Sequence, residues 1–70
     1  MQRQNVTSSN IASVGYDSNQ NKLEIEFLDG GIYQYDNVPQ SIYCSLMSAS
    51  SHGGYFHQYI KNEYNCIKTY

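Results

Sequence analysis

Alternating apolar and acidic side chains in the middle of this 70-residue chain dictate a β-strand with one buried face. Leu23, Ile25 and Phe27 alternate with Glu24 and Glu26, and a period of two is that of a half-buried strand. Such a strand buries its apolar face only within a sheet covered by a second layer. We therefore expect a layered fold with this strand at its centre.

The loop after this strand decides how it pairs with the next one. Residues 29–31 read Asp-Gly-Gly, and a two-residue loop here would pair Phe27 with Ile32. A three-residue loop, with Gly31 left-handed at a bulge, would pair Phe27 with Tyr33. We predict the second, because it sets the following tyrosines against the apolar face, whereas a slip of one residue would invert that face.

The rest of the chain supplies a further strand and two helices. In residues 11–16, Ala12, Val14 and Tyr16 alternate with Ile11, Ser13 and Gly15, and this pattern predicts a strand. Helix-like apolar spacing follows Val38-Pro39 and recurs in residues 55–60. The prediction is one α+β domain over residues 1–70: a small antiparallel β-meander packed on two short helices. The meander has three strands, or four if the segment after the core (residues 6–61) forms a strand rather than a tail.

Composition excludes several classes of partner. Four Lys and Arg against six Asp and Glu give a net charge of −2, which argues against a groove for long nucleic acid. No apolar run is long enough to span a membrane. With no signal peptide, Cys44 and Cys66 are expected as free thiols in a bacterial cytoplasm, or in an infected host cell if a phage encodes the chain. Eight tyrosines suit a surface that binds by stacking and hydrogen bonding.

The sequence gives little support for an enzymatic function. His52 and His57 have no acidic residue at ligand spacing, so no metal site is predicted, and Cys44 would meet a histidine only by accident of folding. Glu24 and Glu26 share a strand face with Lys22 and are interpreted as solubilising charge. We expect a non-catalytic protein without a cofactor.

Two polar clusters are candidate ligand sites. The first lies at the predicted start of the second helix, where backbone N–H groups, glycines and hydroxyls suit a phosphate oxygen, and an ordinary serine-capped turn is the alternative. The second precedes the first strand, where capping of the turn is the alternative. The tyrosines that could stack on a base are Tyr16, Tyr33, Tyr35, Tyr55 and Tyr59. The candidate ligand-binding residues are Ser8, Ser9, Asn10, Tyr16, Ser51, His52, Gly53, Gly54, Tyr55 and Lys61.

In order along the chain, these motifs resemble the KTSC domain, named for a C-terminal segment of certain lysyl-tRNA synthetases and also found as short stand-alone proteins. The most specific element is Ser-x-Gly-x-Tyr-Phe at residues 51–56. The family often carries a basic residue near His52 and Asn in place of His57, so a cationic contact is expected to be weaker here. The resemblance implies a small non-catalytic module associated with nucleic acid or nucleotides. It rests on residues 6–11, 15–17, 23–27, 31–35, 38–39 and 51–56, with Tyr43 and Leu46.

These observations lead to a functional expectation with alternatives from other classes. We expect a binding module for a small phosphorylated ligand, a nucleotide or cyclic oligonucleotide, because such a ligand needs few cations. A phage or mobile element could use such a protein to sequester a signalling nucleotide. The alternatives are an RNA- or protein-binding accessory domain of the kind appended to tRNA synthetases, and an adaptor without a ligand.

An exposed apolar pair predicts self-association. Under the three-residue loop, Leu28 and Ile32 lie on the sheet face that the helices do not cover, and such a pair on so small a domain indicates a contact surface. We expect a homodimer or larger assembly at micromolar concentration, measurable by light scattering. A mass of 8.0 kDa at that concentration would contradict this expectation.

Overall fold

The predicted central strand lies in the middle of a five-stranded sheet. The computed structural model describes residues 1–70, and all neighbouring strands are antiparallel, in chain order across the sheet. The α+β class is confirmed, but the count of three or four strands is wrong. The strands are β1 (Arg3–Asn5), β2 (Ile11–Asp17), β3 (Lys22–Phe27), β4 (Ile32–Tyr35) and β5 (Cys66–Lys68), and the helices, between β4 and β5, are α1 (Gln40–Ser48) and α2 (His52–Tyr59).

The strand that the pattern missed is β1, and its side chains explain why. All three of its residues are polar and exposed, so no alternation marks it. It joins the sheet through backbone pairing, with Arg3 opposite Gly15. At the other edge, Cys66 pairs with Tyr35, so the segment after the core does contribute a strand. Neither helix is long and apolar enough to cross a membrane.

The β3–β4 hairpin has a three-residue loop, but the left-handed glycine is Gly30 (φ 97°) rather than Gly31. The Phe27 amide donates to Gly31 O at 2.9 Å, which places Leu28 in the loop instead of on the sheet. Tyr33 therefore pairs with Ile25, two residues from the predicted register. Because the slip is two residues and not one, the tyrosines still lie on the apolar face.

A β-bulge near the start of β2 makes the predicted alternation wrong there. Strict alternation would place Ala12 on the core face beside Val14, but the pairing shifts between Ile11 and Ser13. A bulge adds one residue to one strand and so changes which side chains face inward. Ile11 consequently lies on the core side and is fully buried.

The core lies between one face of the sheet and the two helices. Helix α1 begins directly after Pro39, as the Val-Pro pair predicts, and buries Leu46, while α2 buries Phe56. Phe56 meets Tyr35 edge-on, with ring centroids 5.6 Å apart. Burial raises the pKa of Tyr35 to about 12. The buried hydrophobic residues are Ile11, Val14, Leu23, Ile25, Tyr35, Val38, Leu46, Phe56 and Ile60.

A polar network crosses the opposite face of the sheet. Arg3 Nε donates to Ser13 Oγ at 3.0 Å, and the same guanidinium forms an ion pair with Glu24. Gln34 Nε2 donates to the other carboxylate oxygen of Glu24 at 2.9 Å. Glu24 is only 8% exposed, so its interpretation as a solubilising charge is wrong: it anchors the edge strand β1.

Gly15 makes this arrangement possible by leaving room for the arginine. A Cβ at position 15 would lie 3.0 Å from Arg3 Cγ and 3.0 Å from Gln2 O. Burial alone would raise the pKa of Glu24, but hydrogen bonds from Gln34 and Arg3 and the charge of Arg3 outweigh burial, so its pKa is lowered. The ionised carboxylate is therefore the form that the fold stabilises.

Replacing Arg3 tests this anchor. Arg3→Ala leaves a buried carboxylate short of a partner and should lower the free energy of unfolding by about 1–3 kcal/mol. Since the pKa of Glu24 is lowered on folding, the ion pair stabilises above the unfolded pKa and is lost as pH falls through the folded pKa. Denaturant unfolding should thus show that the difference in free energy of unfolding between wild type and Arg3→Ala becomes smaller as the pH is lowered.

Lys22→Ala is the matched control for this comparison. Lys22 and Asp36 form an exposed ion pair at 3.9 Å, and exposed pairs contribute only about 0–1 kcal/mol. Equal losses of stability in the two variants, or a gap that does not change with pH, would contradict the anchor.

Candidate ligand-binding groove

An open groove of about 390 Å³ lies between strands β3–β5 and the second half of α2. Its floor is aromatic, formed by side chains that the sheet and α2 contribute together. Its rim is polar and carries both signs of charge. The floor residues are Phe27, Tyr33, Tyr35 and Phe56, and the rim residues are Asn10, Asp29, His57, Lys61, Asn62 and Cys66.

Edge-to-face packing fixes the aromatic floor. Phe27 meets Phe56 and Tyr33 at ring centroid distances of 5.3 and 5.6 Å, with interplanar angles of 67° and 80°. This is the arrangement that the ring quadrupoles favour. Phe27 and Tyr33 are only partly buried, so the floor offers rigid aromatic surface to a planar ligand.

The groove rim holds two basic side chains on the α2 side. His57 and Lys61 are four residues apart and both are exposed, and neither forms an ion pair within the protein. Asp29 stands on the hairpin side, where its Oδ1 accepts from the Gly31 amide at 2.9 Å. The groove can therefore offer a cation to an anionic group and a carboxylate to a donor.

At the start of α2, the capping interpretation describes the geometry. Ser51 is the N-cap, and its Oγ accepts from the Gly54 amide at 3.1 Å. His52 Nδ1 donates to Leu46 O at 2.8 Å. A Cβ at Gly53 would lie 2.2 Å from Asn10 Oδ1, so Asn10 packs directly on this turn. The protein's own groups therefore fill much of the space that the sequence prediction gave to a phosphate.

The second predicted cluster organises the turn before β2. Ser8 Oγ accepts from the amides of Asn10 and Ile11, each at 3.3 Å. Ser9 lines a further concavity of about 400 Å³ beside Leu28. Asn10 lies where the two predicted clusters meet, since it contacts Gly53 and also lines the groove with Lys61. The structure thus brings Asn10 against Gly53, whereas Lys61 lies beyond the other end of α2.

Tyr16 and Tyr55 lie outside the groove. Tyr16 belongs to the far end of β2, where it stacks on Tyr43 at 4.9 Å and donates to Val38 O at 2.5 Å. Tyr55 packs against Tyr59 at a centroid distance of 4.6 Å. Both rings are engaged with other side chains or backbone of the protein itself.

Of the rim residues, only Asn10 and Lys61 are among the candidates predicted from the sequence. Alternation assigned Phe27 and Tyr33 to the core, and no pattern shows that part of their surface stays uncovered. His57 could have been found from its spacing of four residues from Lys61, which would make the two side chains neighbours if the predicted second helix continued to residue 61. No three His, Cys, Asp or Glu side chains converge to hold a metal ion.

Comparisons with known proteins agree with this architecture. A crystal structure of a KTSC domain protein from Yersinia pestis superposes with a TM-score of 0.94 at 46% identity, covering 96% of this chain and 94% of that one. An uncharacterized protein of Stutzerimonas stutzeri is 39% identical over 64 residues, which are 91% of this chain and 90% of that protein.

Part of a much longer enzyme is also similar. The lysine–tRNA ligase of Trichormus variabilis is 38% identical over 54 residues, which are 77% of this chain but 10% of the ligase. The family model of the KTSC domain matches residues 7–64. With most of its length matched by that model, this chain belongs to the KTSC domain family.

Proposed function

We propose that this protein is a non-catalytic binding module for a small phosphorylated ligand with a planar ring, a nucleotide. The observation that carries the proposal is the groove, in which a rigid aromatic floor adjoins the unpaired cation of Lys61. Binding without turnover would make the protein a sink for its ligand.

The floor suits the base of a nucleotide. Stacking of a base on an aromatic side chain contributes about 1–3 kcal/mol and tolerates any base. Phe27 and Tyr33 are already held by their edge-on contacts, so little conformational freedom is lost on binding. The groove volume of about 390 Å³ falls in the range of small-ligand sites, about 300–1,000 Å³.

The supply of cations favours a small ligand over a long nucleic acid. The chain has four Lys and Arg, and Arg3 and Lys22 are engaged in ion pairs. Only Lys61 and Lys68 remain without an acidic partner. Long nucleic acids are held by many phosphate contacts, whereas a nucleotide needs one or two.

The similarity to a segment of lysine–tRNA ligases supports a second candidate, an RNA- or protein-binding accessory domain. The two candidates differ in what occupies the groove. A free nucleotide would enter it alone, whereas an accessory domain would have it covered by part of a tRNA or a protein.

The two cysteines provide a direct test of the groove. Cys66 lines it, and Cys44 lies exposed on α1 and lines no concavity. Both thiols are reacted with a small alkylating reagent at increasing concentrations of each of the four nucleoside monophosphates, and labelling is read by peptide mass spectrometry. We expect a nucleotide to slow labelling of Cys66 and leave that of Cys44 unchanged.

Two lysine variants complete this experiment. Lys61→Gln removes a charge-assisted contact of about 1.5–3 kcal/mol and should raise the half-protecting concentration about tenfold or more. Lys22→Gln, on the far side of the sheet, should leave it unchanged. If no nucleotide slows the labelling of Cys66 relative to that of Cys44, the proposal is contradicted. Slowing of Cys66 labelling by tRNA alone would favour the accessory-domain candidate.

A further inference from the structure

A second concavity adjoins the groove. We name it the side pocket; its volume is about 350 Å³, and it lies beyond the β3–β4 hairpin, against β5. It shares Asp29 and Tyr33 with the groove, so the two spaces meet at these side chains. Its lining residues are Asp29, Gly30, Gly31, Tyr33, Lys68 and Tyr70.

The absence of a side chain at Gly31 opens the side pocket. A Cβ there would lie 3.3 Å from Asp29 Oδ1, 3.3 Å from Tyr33 Cε1 and 3.9 Å from Lys68 Cε. Three chemically different side chains thus converge on a point where the chain carries only backbone. Tyr70, 80% exposed, adds a second aromatic ring to the lining.

Lys68 places a cation on this side of Tyr33. Sheet pairing sets Lys68 directly opposite Tyr33, and its ammonium lies 6.0 Å from the ring centroid. The two lysines without an acidic partner are therefore divided between the two concavities, with Lys61 in the groove and Lys68 in the side pocket.

We propose that the ligand is a dinucleotide, with one nucleotide in the groove and the second in the side pocket. This inference rests on the proposed function and narrows its ligand class. Each half of such a ligand meets an aromatic surface and one ammonium, and Asp29 at the junction accepts from a ribose hydroxyl or a base amino group. Two separate sites for unlinked ligands would not need shared walls.

The covalent bond between the two nucleotides gives an expected gain in affinity. Once the first nucleotide occupies the groove, the second binds intramolecularly at a high effective concentration. We expect a linear dinucleotide with a 5′-phosphate to bind at least about tenfold more tightly than the matching mononucleotide. The gain should depend on Lys68, whereas Lys61 should matter for both ligands.

The test is calorimetric titration of the full chain with a matched set of mononucleotide, nucleoside diphosphate and 5′-phosphorylated dinucleotide for each base. The nucleoside diphosphate adds a second phosphate without a second base. We expect the dinucleotide to bind most tightly, and Lys68→Gln to remove its advantage while changing mononucleotide affinity less than twofold. Lys68 is exposed on an edge strand, so this variant should fold normally, which thermal melting checks.

The outcomes separate this inference from the proposed function. Equal affinity for mononucleotide and dinucleotide would overturn the inference and leave the proposed function standing. A diphosphate that gains as much as the dinucleotide would also overturn it, because the side pocket would then take a phosphate and no base. If no nucleotide binds, both proposals fail.

Discussion

The edge-on packing of Phe56 against Phe27 and Tyr35 holds α2 on the sheet, and much of the structure depends on it. In a chain of 70 residues, two short helices must cover the apolar face of five strands, and they do not reach all of it. The part of the aromatic surface left uncovered becomes the floor of the groove. The same contacts fix His57, which follows Phe56 directly, and Lys61 lies in the turn after α2, where its amide donates to Phe56 O at 2.9 Å. One packing interaction thus contributes to both the core and the proposed site.

The opposite face is stabilised without a second layer. Arg3 reaches across Gly15 to the buried Glu24. Arg3 and Gln34 between them satisfy both carboxylate oxygens of Glu24, and Arg3 also donates to Ser13, so the polar groups on this face have partners without a covering layer. Buried ion pairs gain stability only when their remaining hydrogen-bonding positions are also satisfied. This face can therefore remain uncovered while the aromatic groove, on the other side of the sheet, stays accessible to a ligand.

The sequence predicts faces well and boundaries less well, for physical reasons. Alternation in β3 identifies its buried face, and that face survives a register error of two residues because the side-chain period is two. The polar strand β1 escapes detection because its pairing is made by the backbone, which leaves no side-chain pattern. The site is harder still: the Ser-Gly cluster at α2 has the composition of an anion site, but Asn10, distant in sequence, packs on it. Which aromatic surface remains open depends on helix length and placement, and no local spacing records these.

The central claim is that the groove between the sheet and α2 binds a nucleotide. The most direct measurement is a titration of ¹⁵N-labelled protein with nucleoside monophosphates, followed by amide chemical shifts. The account predicts a set of saturable shifts at Tyr33, Lys61 and Asn62, with Tyr16 and Val38 at the far end of the sheet unchanged. Shifts confined to Tyr16 and Val38, or none at millimolar nucleotide, would contradict it.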